Sequence, residues 1–218
     1  MTRSTTFGRA RAGVYVLAVL TTPVLHGLGF PPASLHALAW VAMVPWFVAI
    51  RLASTAMALV LSAVITLAGG YAVASWLPDA VENYYRQPLA VGMGLFVGVW
   101  AVTVAPSVLA FTACYRALAR RTVVTLPLLA GGAWAASELG RVRLFIGDPF
   151  GLFGYSQVGV GPVVQIGDVT GVYGVSFVLA AVNVALAELC LTMVRARRAT
   201  ADVVAGLGLV AAVTRSSS

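Results

Sequence analysis

Long apolar runs closed by short arginine clusters constrain this chain more than any other feature. The clusters are Arg3, Arg9 and Arg11; Arg51; Arg116, Arg120 and Arg121; and Arg195, Arg197 and Arg198. Seven apolar segments can be marked, at about 13–29, 34–50, 56–77, 89–115, 123–139, 170–194 and 203–213. Hydrophobic residues fill 60% of the 218 positions and charged residues only 10%. A soluble domain carries roughly 25% charged residues, and a globular core of this length does not hide so much apolar surface. The solvent for these segments is therefore lipid, where a helix satisfies its own backbone hydrogen bonds. One all-α integral membrane domain over residues 1–218 is expected, a bundle of about seven transmembrane segments.

The segments differ in length. A span needs about 20 residues to cross about 30 Å of hydrocarbon. The first two are short and joined by Gly29, Phe30, Pro31 and Pro32, which predicts a tight helical hairpin. A basic start before an apolar stretch resembles a signal peptide, but no convincing small-x-small cleavage site follows, and an uncleaved first span is expected. The fourth segment is long and contains Pro106, so a tilt or kink is expected there. The seventh is undersized: eleven helical residues rise only about 16 Å.

Orientation follows from the arginines. With the N-terminus inside, ten of the 14 arginines fall on the inner side, and Asp79, Glu82, Glu138, Asp148 and Asp168 fall at or beyond the outer boundary. The positive-inside rule therefore predicts N-in and C-out. The same rule accounts for the net charge of +7, and nucleic acid is not an expected partner. Two outer loops result. Residues 78–88 are polar and aromatic, with Trp76 beside them and Tyr84 and Tyr85 within them as interface anchors. Residues 140–167 are apolar and hold six glycines from Gly147 onward, so this loop is expected to pack on the bilayer surface or dip into the outer leaflet.

Few residues offer chemistry. Glu138 and Arg141 stand three apart at the outer end of the fifth segment, either as a structural ion pair or as a pocket for a lipid headgroup. Asn183 is expected to bond another helix, and Glu188 to reach Arg195 or the interface. Cys114 and Cys190 read as two buried free thiols, and His26 and His36 have no ligand partner nearby. No nucleophile elbow, phosphate-cradling loop or metal motif occurs, and Ser156 has no histidine close in sequence to act as its base. No catalytic residue, metal or cofactor is expected.

One block carries a pattern. Glu138-Leu139-Gly140-Arg141 is followed by Gly147-Asp148-Pro149-Phe150 and by Phe153-Gly154-Tyr155-Ser156-Gln157. Beyond it stand Gly171-Val172-Tyr173-Gly174-Val175-Ser176-Phe177 and Asn183. This block resembles the membrane domain of bacterial apolipoprotein N-acyltransferases, with weaker similarity at Phe30-Pro31-Pro32 and Trp76. Asp148 stands where that family usually has an aromatic residue and Phe150 where it usually has tryptophan. The resemblance implies a multi-pass protein of the bacterial cytoplasmic membrane that holds phospholipid and a lipoprotein substrate. It implies that chemistry occurs on a nitrilase-like domain, where a Glu-Lys-Cys triad passes an acyl group from phospholipid to the α-amine of diacylglyceryl-cysteine. This chain has no lysine, and both cysteines lie toward the inner side, so no triad residue carries over. The expectation is a fragment or truncated form, inactive alone, that needs a catalytic domain or subunit. Trp76, Glu138, Arg141, Tyr155 and Gln157 are the substrate-side or lipid-side candidates. The competing readings are a non-catalytic membrane module that binds lipid or a partner, and a small transporter.

Overall fold

The computed structural model describes residues 2–120, 125–144 and 147–216, with side chains described for 9–119, 125–144 and 147–197. Arg121 and the first residues of the expected fifth segment lie outside the described residues, and the side chains of Arg3, Arg120, Arg198 and Arg215 lie outside the described side chains. The protein is all-α, with no strand among the described residues. The helices are α1 (Thr2–Leu28), α2 (Val44–Leu52), α3 (Thr55–Ala74), α4 (Trp76–Asn83), α5 (Leu89–Val99), α6 (Ala105–Ala117), α7 (Thr125–Arg143), α8 (Gly161–Thr170) and α9 (Val172–Ser216). Among the described residues, four helical stretches are long and apolar enough to cross a bilayer: Arg9–Leu28, Thr55–Ala74, Leu89–Ala117 and Val172–Arg197. A shorter apolar stretch, His36–Leu52, accompanies them.

Two expectations change. The second segment is broken, with a 3-10 turn at His36–Trp40 before α2. The reversal expected after Arg198 is not made, because α9 continues as one helix to Ser216. The reason is local: residues 195–205 contain neither proline nor glycine and are dominated by alanine and arginine, both strong helix formers. The seventh segment is thus a continuation of the sixth, and the C-out expectation, which depended on a turn there, loses its basis.

The kink at Pro106 takes a definite form. Proline has no N–H and clashes with the carbonyl four residues back. The chain relieves this with a π-helical turn at Trp100–Val104, immediately before α6. Such turns re-aim side chains inside a helix, and here they carry Trp100 and Thr103.

The core lies between α2, α6, α7 and α9. In α9 the buried positions are Val175, Ser176, Leu179, Ala180, Asn183, Val184, Ala187, Glu188 and Leu191, one stripe at helical spacing. In α7 the stripe is Leu126, Pro127, Ala130, Gly131, Trp134, Glu138 and Arg141. Trp46, Phe47, Phe111, Tyr115 and Trp134 fill the space between, with neighbouring ring centroids 5.0–6.1 Å apart. The opposite faces are apolar and exposed, as at Leu17, Leu20 and Val60, which suits lipid contact. Cys114 and Cys190 stand on these exposed faces, not in the core as expected.

Polar side chains tie the helices. Asn183 Oδ1 accepts from Met43 N at 2.9 Å, and its Nδ2 donates to Ala39 O at 2.9 Å and Leu179 O at 2.8 Å. The sequence expectation for this amide is met. Glu188 takes a different partner from the one expected: Arg51 Nε lies 2.5 Å from Oε1, and Tyr115 Oη donates to the same oxygen at 3.0 Å.

The seam between α7 and α9 depends on one glycine. A β-carbon on Gly131 would stand 2.8 Å from Phe177 O and 3.0 Å from the Ala181 β-carbon. Gly131→Val is expected to lose about 1–3 kcal/mol or more through overpacking, read as the unfolding midpoint in detergent. Gly132→Val is the control, since nothing lies within 4 Å of a β-carbon there.

Candidate functional site

A cavity of about 300 Å³ opens beneath the 140–167 loop, walled by α1, α3, α4, the α5–α6 kink and α7. Its lining is apolar over most of its area, with Ile65, Val73, Leu77, Phe96 and Val99 among the contributors. Ligand pockets of bound small molecules start at about this volume and are lined in this way, with a few placed polar groups. Here those groups include Thr22 and His26 from α1, Trp100 from the π turn, Glu138 and Arg141 from α7, and Asp148 from the loop.

Glu138 is 3% exposed. Its Oε1 accepts from Trp134 Nε1 at 3.1 Å and from Phe153 N at 2.7 Å, fastening the loop to α7. Its Oε2 has no hydrogen-bond partner. Ser176, whose hydroxyl accepts from Gly154 N at 2.8 Å, approaches the carboxyl without closing a bond to Oε2.

Arg141 does not close the expected ion pair with Glu138. It pairs with Asp148, Nη1 to Oδ2 at 3.3 Å. Thr103 Oγ1 donates to the same Oδ2 at 2.8 Å, Phe150 N donates to Oδ1 at 3.1 Å, and Asp148 N donates to Arg141 O at 3.1 Å. The backbone contact explains the geometry: it turns the chain back after α7 and brings the Asp148 carboxylate beside the guanidinium. Asp148 is 7% exposed, so the unusual residue of this loop is buried and fully bonded. Phe150, two residues on, is 58% exposed and meets Trp76 edge-on at 5.3 Å between ring centroids.

The structure gathers three of the five sequence candidates, Trp76, Glu138 and Arg141, on this cavity. Tyr155 and Gln157 are not among its lining residues. Tyr155 is 40% exposed on the 3-10 turn Phe153–Gln157. Gln157 is buried and clamps that turn to the first hairpin: Nε2 donates to His36 O at 2.9 Å, and Oε1 accepts from Trp40 Nε1 at 3.3 Å. His36 Nδ1 adds a contact to Ser156 O at 2.6 Å. The first half of the 140–167 loop is thus packed into the end of the bundle, with Phe153, Gly154, Ser156 and Gln157 buried. Its second half, α8, has no buried residue and exposes Val164, Ile166 and Val169.

Sequence reasoning missed Thr22, His26 and Trp100. The available signal was the i, i+4 spacing of Thr22 and His26, which puts two polar groups on one face of an apolar helix. Trp100 gave no signal, because its direction depends on the π turn.

The family model described as the apolipoprotein N-acyltransferase N-terminal domain matches residues 23–185. The chain belongs to this family. It is 34% identical over 180 residues to an apolipoprotein N-acyltransferase of Geobacter metallireducens, covering 79% of this chain and 32% of that protein. It is 30% identical over 172 residues to apolipoprotein N-acyltransferase 1 of Treponema pallidum, covering 77% of this chain and 29% of that protein. The chain spans about a third of the length of these curated relatives. The cavity falls within this apolipoprotein N-acyltransferase N-terminal domain, except for Thr22 at its edge.

Proposed function

We propose that this chain is the bilayer-embedded part of an apolipoprotein N-acyltransferase of the bacterial cytoplasmic membrane, holding phospholipid, and a lipoprotein substrate with it, for a nitrilase-like catalytic domain or subunit. The observation that carries this reading is the apolar cavity under the outer loop. It has Trp76 and Phe150 at its exposed side and Glu138 and Arg141 on its wall. Lipid reaches such a site laterally, without leaving the bilayer.

The inner side is taken as that of Arg51, Arg116 and Arg195, and the outer side as that of Asp79 and the 140–167 loop. Arg116 Nη1 donates to Ile50 O and Arg51 Nη2 to Ala119 O at 3.3 Å, so two of these arginines gather at one end of the bundle. The chain contains no lysine and therefore no Glu-Lys-Cys set of its own.

The test is acyl transfer from phospholipid to a diacylglyceryl-cysteine peptide in reconstituted vesicles. The chain alone is expected to give no product, and co-reconstitution with a nitrilase-like domain of the family is expected to give it. Turnover by the chain alone overturns the division of labour. A non-catalytic lipid-binding module is the second reading, favoured by the same cavity; absence of product in both arms with lipid binding intact selects it.

A further inference from the structure

We propose that the cavity binds the ammonium group of an amphiphile, with Glu138 Oε2 as its anionic partner; this rests on the lipid-holding reading above and names the head chemistry that the site takes. Three observations carry it.

The first is charge. The ionic residues among the described lining positions are Glu138, Asp148 and Arg141. Two carboxylates face one guanidinium, and Asp148 holds that guanidinium directly at 3.3 Å. Oε1 of Glu138 already accepts two N–H bonds, and Oε2 accepts none. A buried carboxylate left without a direct ionic partner is costly, and a cation entering the cavity removes that cost. An anionic headgroup meets two carboxylates against one guanidinium, which is itself paired with Asp148 through Nη1.

The second is unsatisfied polarity. Glu138 Oε2, His26 Nδ1 and Thr22 Oγ1 are all buried without a hydrogen-bond partner, and all three residues line this one cavity. Thr22 and Glu138 are each 3% exposed. Buried polar atoms are ordinarily paired. These three accept hydrogen bonds, His26 Nδ1 when its proton sits on Nε2, and an ammonium group carries three donors.

The third is the wall. Trp46, Trp76, Trp100 and Trp134 line the cavity, and tryptophan faces attract cations in sites shielded from water. The remaining unpaired atom, Trp100 Nε1, is a donor and suits an ester oxygen of the same amphiphile.

Because four of the five tryptophans line the cavity, quenching by brominated probes reads its occupancy. The detergent-solubilised full chain is titrated with 11-bromoundecylamine, 11-bromoundecanol and 11-bromoundecanoic acid. The amine is expected to bind about tenfold more tightly than the alcohol, the gain of a charge-assisted over a neutral hydrogen bond, and the acid more weakly than both. Glu138→Gln keeps an acceptor for Trp134 and Phe153 and is expected to bring the amine-to-alcohol ratio to about one. Asp148→Asn removes the other carboxylate and frees Arg141; it is expected to reduce the amine preference and raise binding of the acid, and it carries the test if Glu138→Gln fails to fold.

Equal binding of amine and alcohol by the unaltered chain overturns the proposal while leaving the lipid-holding reading intact. Quenching by none of the probes overturns that reading as well. An amine preference that survives Glu138→Gln overturns the residue assignment. Competition separates the two natural sources of such an amine: displacement by phosphatidylethanolamine assigns the site to a phospholipid head, and displacement by a diacylglyceryl-cysteine peptide assigns it to a lipoprotein. Displacement by neither rules out both.

Discussion

Arg141→Leu is expected to cost about 3–5 kcal/mol of stability, because it leaves the buried carboxylate of Asp148 without its ionic partner. The guanidinium is 9% exposed and the carboxylate 8%. Neither is well hydrated in the folded state, so solvent does little to replace the lost pair. The cavity that Glu138 lines loses its guanidinium in the same step. The double variant Arg141→Leu with Asp148→Leu is expected to recover a large part of the loss, since removing both charges removes the desolvation penalty too. The recovery will not be complete. Thr103 Oγ1 and Phe150 N both donate to Asp148 and would lose that acceptor. Reversible unfolding in mixed micelles measures all three variants. A single-variant loss below about 1 kcal/mol would mean that the pair behaves like an exposed salt bridge, and that water enters the cavity freely.

The second large effect is expected at the opposite end. Glu188→Ala removes the partner of Arg51 and the acceptor of Tyr115 Oη in one change. Three elements meet at this carboxylate: α2 through Arg51, α6 through Tyr115 and α9 through Glu188 itself. Breaking a pair of this burial costs about 3–5 kcal/mol when the remaining charge stays buried. Arg51 is 13% exposed and also donates to Ala119 O, which places the expected value at the lower end of that range. Glu188→Gln keeps an acceptor for Tyr115 and is expected to cost less than Glu188→Ala. Equal losses for the two variants would show that the charge contributes nothing. A smaller effect than Gly131→Val would show that helix contact, not the polar tie, dominates the stability of α9.

The two carboxylates also show what a sequence can reveal here. The apolar runs made the all-α membrane architecture legible, because a bilayer leaves few other solutions. Pro106 announced its kink, since the cause is local. Asn183 was legible for a similar reason: a mid-span amide must find a partner on a neighbouring helix. The partners of Arg141 and Glu188 were not legible. Proximity in sequence favoured Glu138 and Arg195, three and seven residues away, but helix packing and the return of the outer loop brought Asp148 and Arg51 closer. Gln157 was read toward lipid and turned out to be a clamp between two 3-10 turns. Its role depends on a contact 121 residues apart in the chain, for which no local pattern exists. The end of α9 failed in the opposite way. The segment at 203–213 looked like a new span by composition, whereas the helix-forming residues between 195 and 205 carry α9 straight through.

The central claim is that lipid occupies the cavity under the outer loop and does not merely coat the outside of the bundle. Photo-crosslinking tests it most directly. The full chain is reconstituted with a phospholipid bearing a diazirine in one acyl chain, irradiated, and mapped by peptide mass spectrometry. Labels are expected on the inward-facing lining at Ile65, Val73, Phe96 and Val99, and Trp76→Ala, which alters the exposed side of the cavity, is expected to change their yield. Labels confined to the outward faces at Leu17, Leu20, Val60 and Leu128, with the cavity residues clean, would contradict the claim.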